Sequence, residues 1–239
     1  MNEADLPPYD SFLLVSFGGP EGPDDVIPYL ENVLRGKNVP RERMLEVAEH
    51  YQHFGGVSPI NQQNRDLLEA IRDEFRRHDI DLPVYWGNRN WDPYFPNTLR
   101  QMRDDGCKRS LAFFTSMFSC YSGCRQYREN IIAAREAVGD DAPLVEKVRM
   151  GFNHPHFIDT MAESIRNAKD ALGADADDAT VLFTAHSIPM GMADNCSYQK
   201  QLEEASRLVA EASESQNWRL VYQSRSGPPQ QPWLEPDIC

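Results

Sequence analysis

No apolar stretch in this sequence approaches the length of a membrane span, and the amino terminus, Met-Asn-Glu-Ala-Asp-Leu-Pro-Pro, carries no basic leader region. Neither a membrane-spanning helix nor a secretory signal is expected, and a cytoplasmic location is. Basic residues are in deficit, with 24 Lys and Arg against 37 Asp and Glu and a net charge of −13. That balance disfavours nucleic acid and anionic membrane surfaces as partners, although a locally basic pocket can still take carboxylates. Cysteines are few and odd in number: the five, at 107, 120, 124, 196 and 239, fit reduced thiols or metal ligation better than a disulfide framework. No G-x-S-x-G elbow occurs, and Phe17-Gly18-Gly19-Pro20 does not make a G-x-G-x-x-G dinucleotide fingerprint.

What is present is a globular composition, 41% apolar, in which strand and helix patterns alternate. Short apolar runs at Ser11–Phe17, Val84–Trp86, Leu111–Thr115 and Val181–Ala185 read as strands, with a weaker run at Arg219–Gln223. Apolar residues recur every three or four positions in Asn64–Arg77, Thr98–Asp105, Gln126–Val138, Phe157–Leu172 and Tyr198–Ala212, which predicts helices. This order implies an α/β fold with parallel sheets covered by helices. The pattern starts afresh after the Gly139–Pro143 loop, so two similar halves are expected, residues 1–145 and 146–239. The second reads as partial, because after Gln223 the chain continues only as a proline-rich, aperiodic stretch to Cys239. A binding loop or a fragment explains that ending, and the fragment is the expectation.

Candidate chemistry sits where strands stop. His186 closes the run Val-Leu-Phe-Thr-Ala-His-Ser-Ile-Pro, at the strand end where open α/β sheets bind ligands; a histidine that merely caps its strand is the plainer alternative. Ser187 is misplaced as a nucleophile for that base, since adjacent residues of an extended chain point to opposite sides. The glycines of Phe17-Gly18-Gly19-Pro20 permit close backbone approach to a ligand, or only a tight turn. Phe54-Gly55-Gly56-Val57-Ser58-Pro59 offers amides and a hydroxyl for a carboxylate, or Ser58 as a helix cap. Trp86-Gly87-Asn88-Arg89-Asn90-Trp91 joins aromatic surface to one guanidinium, a mixture suited to a flat, apolar ligand with acidic side groups. Cys120 and Cys124 could offer thiolates but cannot close a metal site alone, and His154 and His156 read as surface loop histidines.

Taken in order, Ser16-Phe17-Gly18-Gly19-Pro20, Gly55-Gly56-Val57-Ser58-Pro59, Thr184-Ala185-His186-Ser187-Ile188-Pro189 and Gln223-Ser224-Arg225-Ser226-Gly227-Pro228, followed by Pro232-Trp233-Leu234-Glu235-Pro236, resemble the signature loops of the ferrochelatases. Tyr85–Trp91 and Tyr121–Tyr127 look most like the actinobacterial coproporphyrin III type. The resemblance implies two Rossmann-like, chelatase-type halves and insertion of Fe²⁺, as a substrate, into a porphyrin, coproporphyrin III or protoporphyrin IX, in haem biosynthesis. It implies His186 as the catalytic residue and iron ligand or proton acceptor, and Ser58, Tyr127, Phe17 and Arg89 as porphyrin contacts. Transient contact with other haem-pathway enzymes is implied as well. Some relatives hold a [2Fe-2S] cluster with one central cysteine, for which Cys124 is the candidate and Cys120 the second.

The departures are specific. Many relatives have an iron-ligating tyrosine at the Phe17 position, and propionate-binding arginines where Leu34 and His50 stand here, beside Arg35 and Tyr51. The family's C-terminal catalytic glutamate and its remaining cluster cysteines are not among these residues. Two readings of different kind follow: a ferrochelatase, inactive in this form if that glutamate is indispensable, or a non-catalytic porphyrin-binding relative. A cobalt or sirohydrochlorin chelatase is a third, without the Gln-Ser-Arg-Ser-Gly-Pro and Pro-Trp-Leu loops.

Overall fold

The computed structural model describes residues 8–176 and 178–239. They form two compact units, one running to Thr115 and including Tyr127–Val148, the other made of Ser116–Gln126 and Arg149–Cys239.

The first unit is built on four parallel strands, β1 (Ser11–Ser16), β2 (Val84–Asn88), β3 (Arg109–Phe114) and β4 (Leu144–Lys147), in the order β2-β1-β3-β4. Strand β1 lies between β2 and β3, with Leu13 opposite Tyr85 on one side and Ala112 on the other. All six of its residues are buried, which is why Phe-Leu-Leu-Val reads as an unbroken apolar run rather than an alternation. Leu13 and Val15 meet Leu99 and Met102 of α4 (Phe95–Asp104) and Ile131 of α5 (Gln126–Val138). Phe12 meets Phe75 of α3 (Ile60–Arg77) edge to face at 5.3 Å. A satellite core of Val26, Tyr29, Leu30, Met44 and Ala48 joins α1 (Val26–Val33) to α2 (Arg41–His53).

Three of these elements go beyond the sequence-based expectation. Strand β4 is short, half-exposed and carries Glu146 and Lys147, so no apolar run betrays it; Glu146 accepts a 2.5 Å bond from Arg109 Nε on the neighbouring strand. Helix α1 contains Pro28, and α2 buries only Met44 and Ala48, leaving little periodicity to read. The helix expected from Asn64 begins at Ile60.

In the second unit β5 (Val181–His186) and β6 (Trp218–Gln223) pair in parallel, from Val181 opposite Trp218 to His186 opposite Gln223. Helices α6 (Pro155–Leu172) and α8 (Tyr198–Ala212) meet through Ile158, Ala162 and Val209, and a four-residue α7 (Met190–Ala193) follows β5. The proline-rich stretch is ordered by its partners: Leu234 N–H donates to Ile188 O (3.0 Å), Met190 N–H to Pro232 O (2.9 Å), and Ile238 N–H to Tyr222 O (2.9 Å). Among the described residues no helix is long and apolar enough to cross a membrane.

Candidate functional site

The loops singled out in the sequence gather, within each unit, beyond the carboxyl ends of the strands. In the first unit the chain leaves β1 through Phe17 and turns at Gly18, whose φ of +77° is a backbone state that glycine adopts freely. Gly19 then runs so close to the second glycine loop that a β-carbon on it would lie 2.6 Å from Ser58 Cβ and 2.7 Å from Ser58 Oγ. Ser58 N–H closes the contact by donating to Pro20 O at 2.8 Å. The glycines therefore serve loop-to-loop packing. As a cap Ser58 is weak, its Oγ standing 3.5 Å from the Ile60 amide.

Two asparagines that the sequence reading missed fix this turn. Asn64 Nδ2 donates to Ser16 Oγ (2.7 Å) and Asn61 Nδ2 to Gly19 O (3.0 Å), all from buried positions. Their signal was present: polar residues three apart on the inward face of α3, where apolar ones are expected, are retained only with buried partners. From β2, Arg89 N–H donates to Ser16 O (3.0 Å) and Asn90 N–H to Phe17 O (2.9 Å), tying the Arg89 loop to the Phe17 loop.

These constraints bring Arg89, Phe17 and Tyr127 together. The guanidinium carbon lies 5.8 Å from the Phe17 ring centre and 5.7 Å from that of Tyr127, so the cation rests between two aromatic faces. Lys37 contributes a second positive charge: burial, and then Arg89, hold its ammonium below the usual lysine range. Beside Ser58 a cavity of about 340 Å³ is lined by His50, Tyr51, Phe54, Val57, Ser58 and Pro59, with Phe54 77% exposed. It joins apolar residues to three polar ones, His50, Tyr51 and Ser58, suiting a flat apolar ligand with polar substituents.

In the second unit His186 ends β5 with its side chain exposed. Its Nδ1 stands 2.5 Å from the Ser187 carbonyl oxygen. A carbonyl only accepts, so Nδ1 carries the proton and the Nε2 lone pair is left for a ligand. Ser187 is itself pinned, its N–H donating to Gln223 O and its Oγ to Leu234 O, both at 2.8 Å. It is 1% exposed, which removes it as a nucleophile. Tyr198 OH donates to His186 O at 3.1 Å, and burial pushes its phenol up to about 12, so it stays a donor throughout the working pH range.

The cysteines do not make a metal centre of their own. Cys120 Sγ accepts from Gly123 N–H (3.2 Å) and burial holds its thiol above the ordinary range, while Cys124 is half-exposed. Among the described residues no three His, Cys, Asp or Glu side chains are placed to share a metal, so these donors do not fit a [2Fe-2S] cluster by themselves. His154 and His156 stack at 5.5 Å between ring centres at the exposed start of α6.

Fold and loops together define an α/β protein of parallel sheets with the candidate loops beyond their carboxyl ends. A family model described as ferrochelatase matches residues 9–239. The chain is 74% identical over 235 residues to a ferrochelatase of Rhodopirellula baltica, covering 98% of this chain and 67% of that one. It is 51% identical to the coproporphyrin III ferrochelatases of Streptomyces coelicolor and Mycolicibacterium smegmatis, spanning 68% and 69% of their lengths. The chain belongs to the ferrochelatase family, the enzymes that insert iron into a porphyrin in haem biosynthesis.

Proposed function

We propose that this chain acts on coproporphyrin III, taking Fe²⁺ as its second substrate and releasing iron coproporphyrin and two protons. The observation that carries the reading is the family match from residue 9 to 239, supported by two relatives at half identity named for that porphyrin.

Metallation requires loss of two pyrrole protons, removal of water from iron and bending of a stiff macrocycle so that nitrogen lone pairs face the metal. In this proposal Phe17 lies against the ring, Ser58 and Tyr127 contact the porphyrin and its carboxylates, and Arg89 pairs with a propionate. A guanidinium held between two rings loses little freedom on forming that pair. His186 is the catalytic residue, and its Nε2 lone pair takes a pyrrole proton or holds the arriving iron. Phe17 has no oxygen to offer the product iron, so departure of the metallated ring does not wait on breaking a phenolate bond. Cys124 is the residue we assign as a thiolate donor should a cluster be assembled with cysteines from outside the described residues. The compartment we propose is the cytoplasm, consistent with five free thiols.

The test is anaerobic incubation with Fe²⁺ and either coproporphyrin III or protoporphyrin IX, followed by visible absorbance. Faster conversion of coproporphyrin III supports the proposal; preference for protoporphyrin IX overturns the assignment of substrate.

A further inference from the structure

The loop that carries Arg89 closes on itself. Asn88 N–H donates to Pro93 O (2.6 Å) and Asn88 Nδ2 to Asp92 O (3.0 Å), so residues 88–93 hold together as one piece. Where that piece sits depends on what ties it to its neighbours. On one side the Arg89 and Asn90 amides bind it to the turn after β1. On the other it meets α1, through two residues three apart and therefore on one face of the helix. Tyr29 packs edge to face on Trp91 at 6.2 Å between ring centres, and Asn32 Nδ2 donates to Asn90 O at 2.9 Å. Asn90 is 4% exposed, and Tyr94 OH reaches the same oxygen only at 3.4 Å, so Asn32 is the good donor to a buried carbonyl.

Asn32 also anchors the turn that leaves α1. Its own carbonyl accepts from Arg35 N–H (3.3 Å), and Lys37 N–H then donates to Leu34 O (2.8 Å). Side chain and backbone of one asparagine thus join the Arg89 loop to the turn that carries Lys37. Lys37 stands close enough to Arg89 for the guanidinium, after burial, to hold its ammonium below the usual range. Like charges side by side repel, and the bond that keeps their carriers together is neutral, from an amide to a carbonyl. A carboxylate reaching this end of the first unit is attracted by both cations.

We infer that Asn32 is a positioning residue for the porphyrin carboxylates: its bond to Asn90 O fixes the Arg89 loop against the end of α1 and so sets the spacing between the cations of Arg89 and Lys37. Asn32 acts through Arg89 and touches no substrate atom itself. The inference rests on the proposal that Arg89 pairs with a propionate, and it adds the residue that places the guanidinium.

The experiment measures coproporphyrin III binding, by fluorescence quenching, to chains carrying Asn32→Leu, Arg89→Ala or both. Leucine keeps the branching of asparagine and removes its donor. Asn32→Leu weakens binding roughly fivefold, the share of one neutral hydrogen bond, and Asn32→Gln, which keeps an amide on a longer arm, recovers part of the loss. In the Arg89→Ala background Asn32→Leu weakens binding no further, because its effect passes through Arg89. Equal weakening with and without Arg89 makes Asn32 a packing residue and overturns the inference. Loss of affinity in Arg89→Ala beside none in Asn32→Leu sinks the inference alone, whereas unchanged affinity in Arg89→Ala removes the propionate reading and the inference with it. The Arg89 Nε–H resonance, shifted by the two rings on either side, gives an arm that needs no porphyrin. Asn32→Gln, the milder change, moves that signal; an unmoved signal in the folded variant contradicts the positioning role.

Discussion

The His186 imidazole donates through Nδ1 to the carbonyl of the residue that follows it, Ser187, at 2.5 Å. That carbonyl is held in turn by bonds from Ser187 to Gln223 and Leu234, so the tautomer is set by backbone and by the Pro-Trp-Leu loop. Nitrogen-15 spectra of imidazole-labelled protein at pH 8 will show a single Nδ1–H form. An Nε2–H form, or equal populations, would contradict the arrangement.

Tyr198 supplies the remaining hold, through its hydroxyl on His186 O. Tyr198→Phe removes one buried hydrogen bond and is expected to cost about 1 kcal/mol in urea unfolding. It also broadens the His186 nitrogen signals. Loss of stability with unaltered nitrogen spectra would assign Tyr198 to packing alone.

The glycine loops offer a sharp contrast within a few residues. Gly19→Ala drives a methyl group to 2.6 Å from Ser58 Cβ, whereas Gly22 has nothing within 4 Å of the same addition. The first substitution is expected to destabilise by about 1–3 kcal/mol and to weaken porphyrin binding. The second should leave both nearly unchanged. Fluorescence quenching of the porphyrin and thermal unfolding read the two effects separately, and equal behaviour of the variants would remove the packing argument.

How much of this was legible beforehand follows from what each residue must satisfy. Strand β1 announces itself because a buried parallel strand is apolar throughout, and the helix at Gln126–Val138 because it is periodic; the strand ending at His186 shows an apolar run although only Ala185 of it is buried. Strand β4 and helix α2 do not, since an edge strand and a mostly exposed helix bury too little to need a pattern. Arg89 and Tyr127 were readable as candidates, but their juxtaposition was not: it depends on bonds from Arg89 and Asn90 to the β1 turn, a contact across more than 70 positions of chain. Nor was the pairing of Asn64 with Ser16: two asparagines three apart on α3 mark a buried polar need but not which residue meets it.

Arg89→Lys retains the charge but loses the planar fork and the contact with both rings. Coproporphyrin III is expected to bind roughly ten times more weakly to this variant and weaker still to Arg89→Ala, in line with charge-assisted bonds of about 1.5–3 kcal/mol. Equal affinity in the lysine variant would mean that Arg89 supplies only a distributed positive field.

The Arg109–Glu146 pair predicts an acid-sensitive sheet edge. A hydrogen bond from the guanidinium holds the Glu146 carboxyl below the usual range, so its contribution is present above the unfolded-state value and disappears as pH falls through the folded one. Urea midpoints measured between neutral pH and pH 3 will fall less steeply for Glu146→Gln than for the unaltered protein, and the difference will shrink in high salt. Parallel pH profiles would exclude the pair as a source of acid lability.

The most direct test of the central claim, that His186 performs the metallation step, is a comparison of the unaltered chain with His186→Ala in anaerobic Fe²⁺ insertion into coproporphyrin III. The imidazole is exposed, so its removal should leave folding and porphyrin binding intact while the insertion rate falls by roughly 100-fold or more. Insertion at an undiminished rate in the alanine variant would contradict the account.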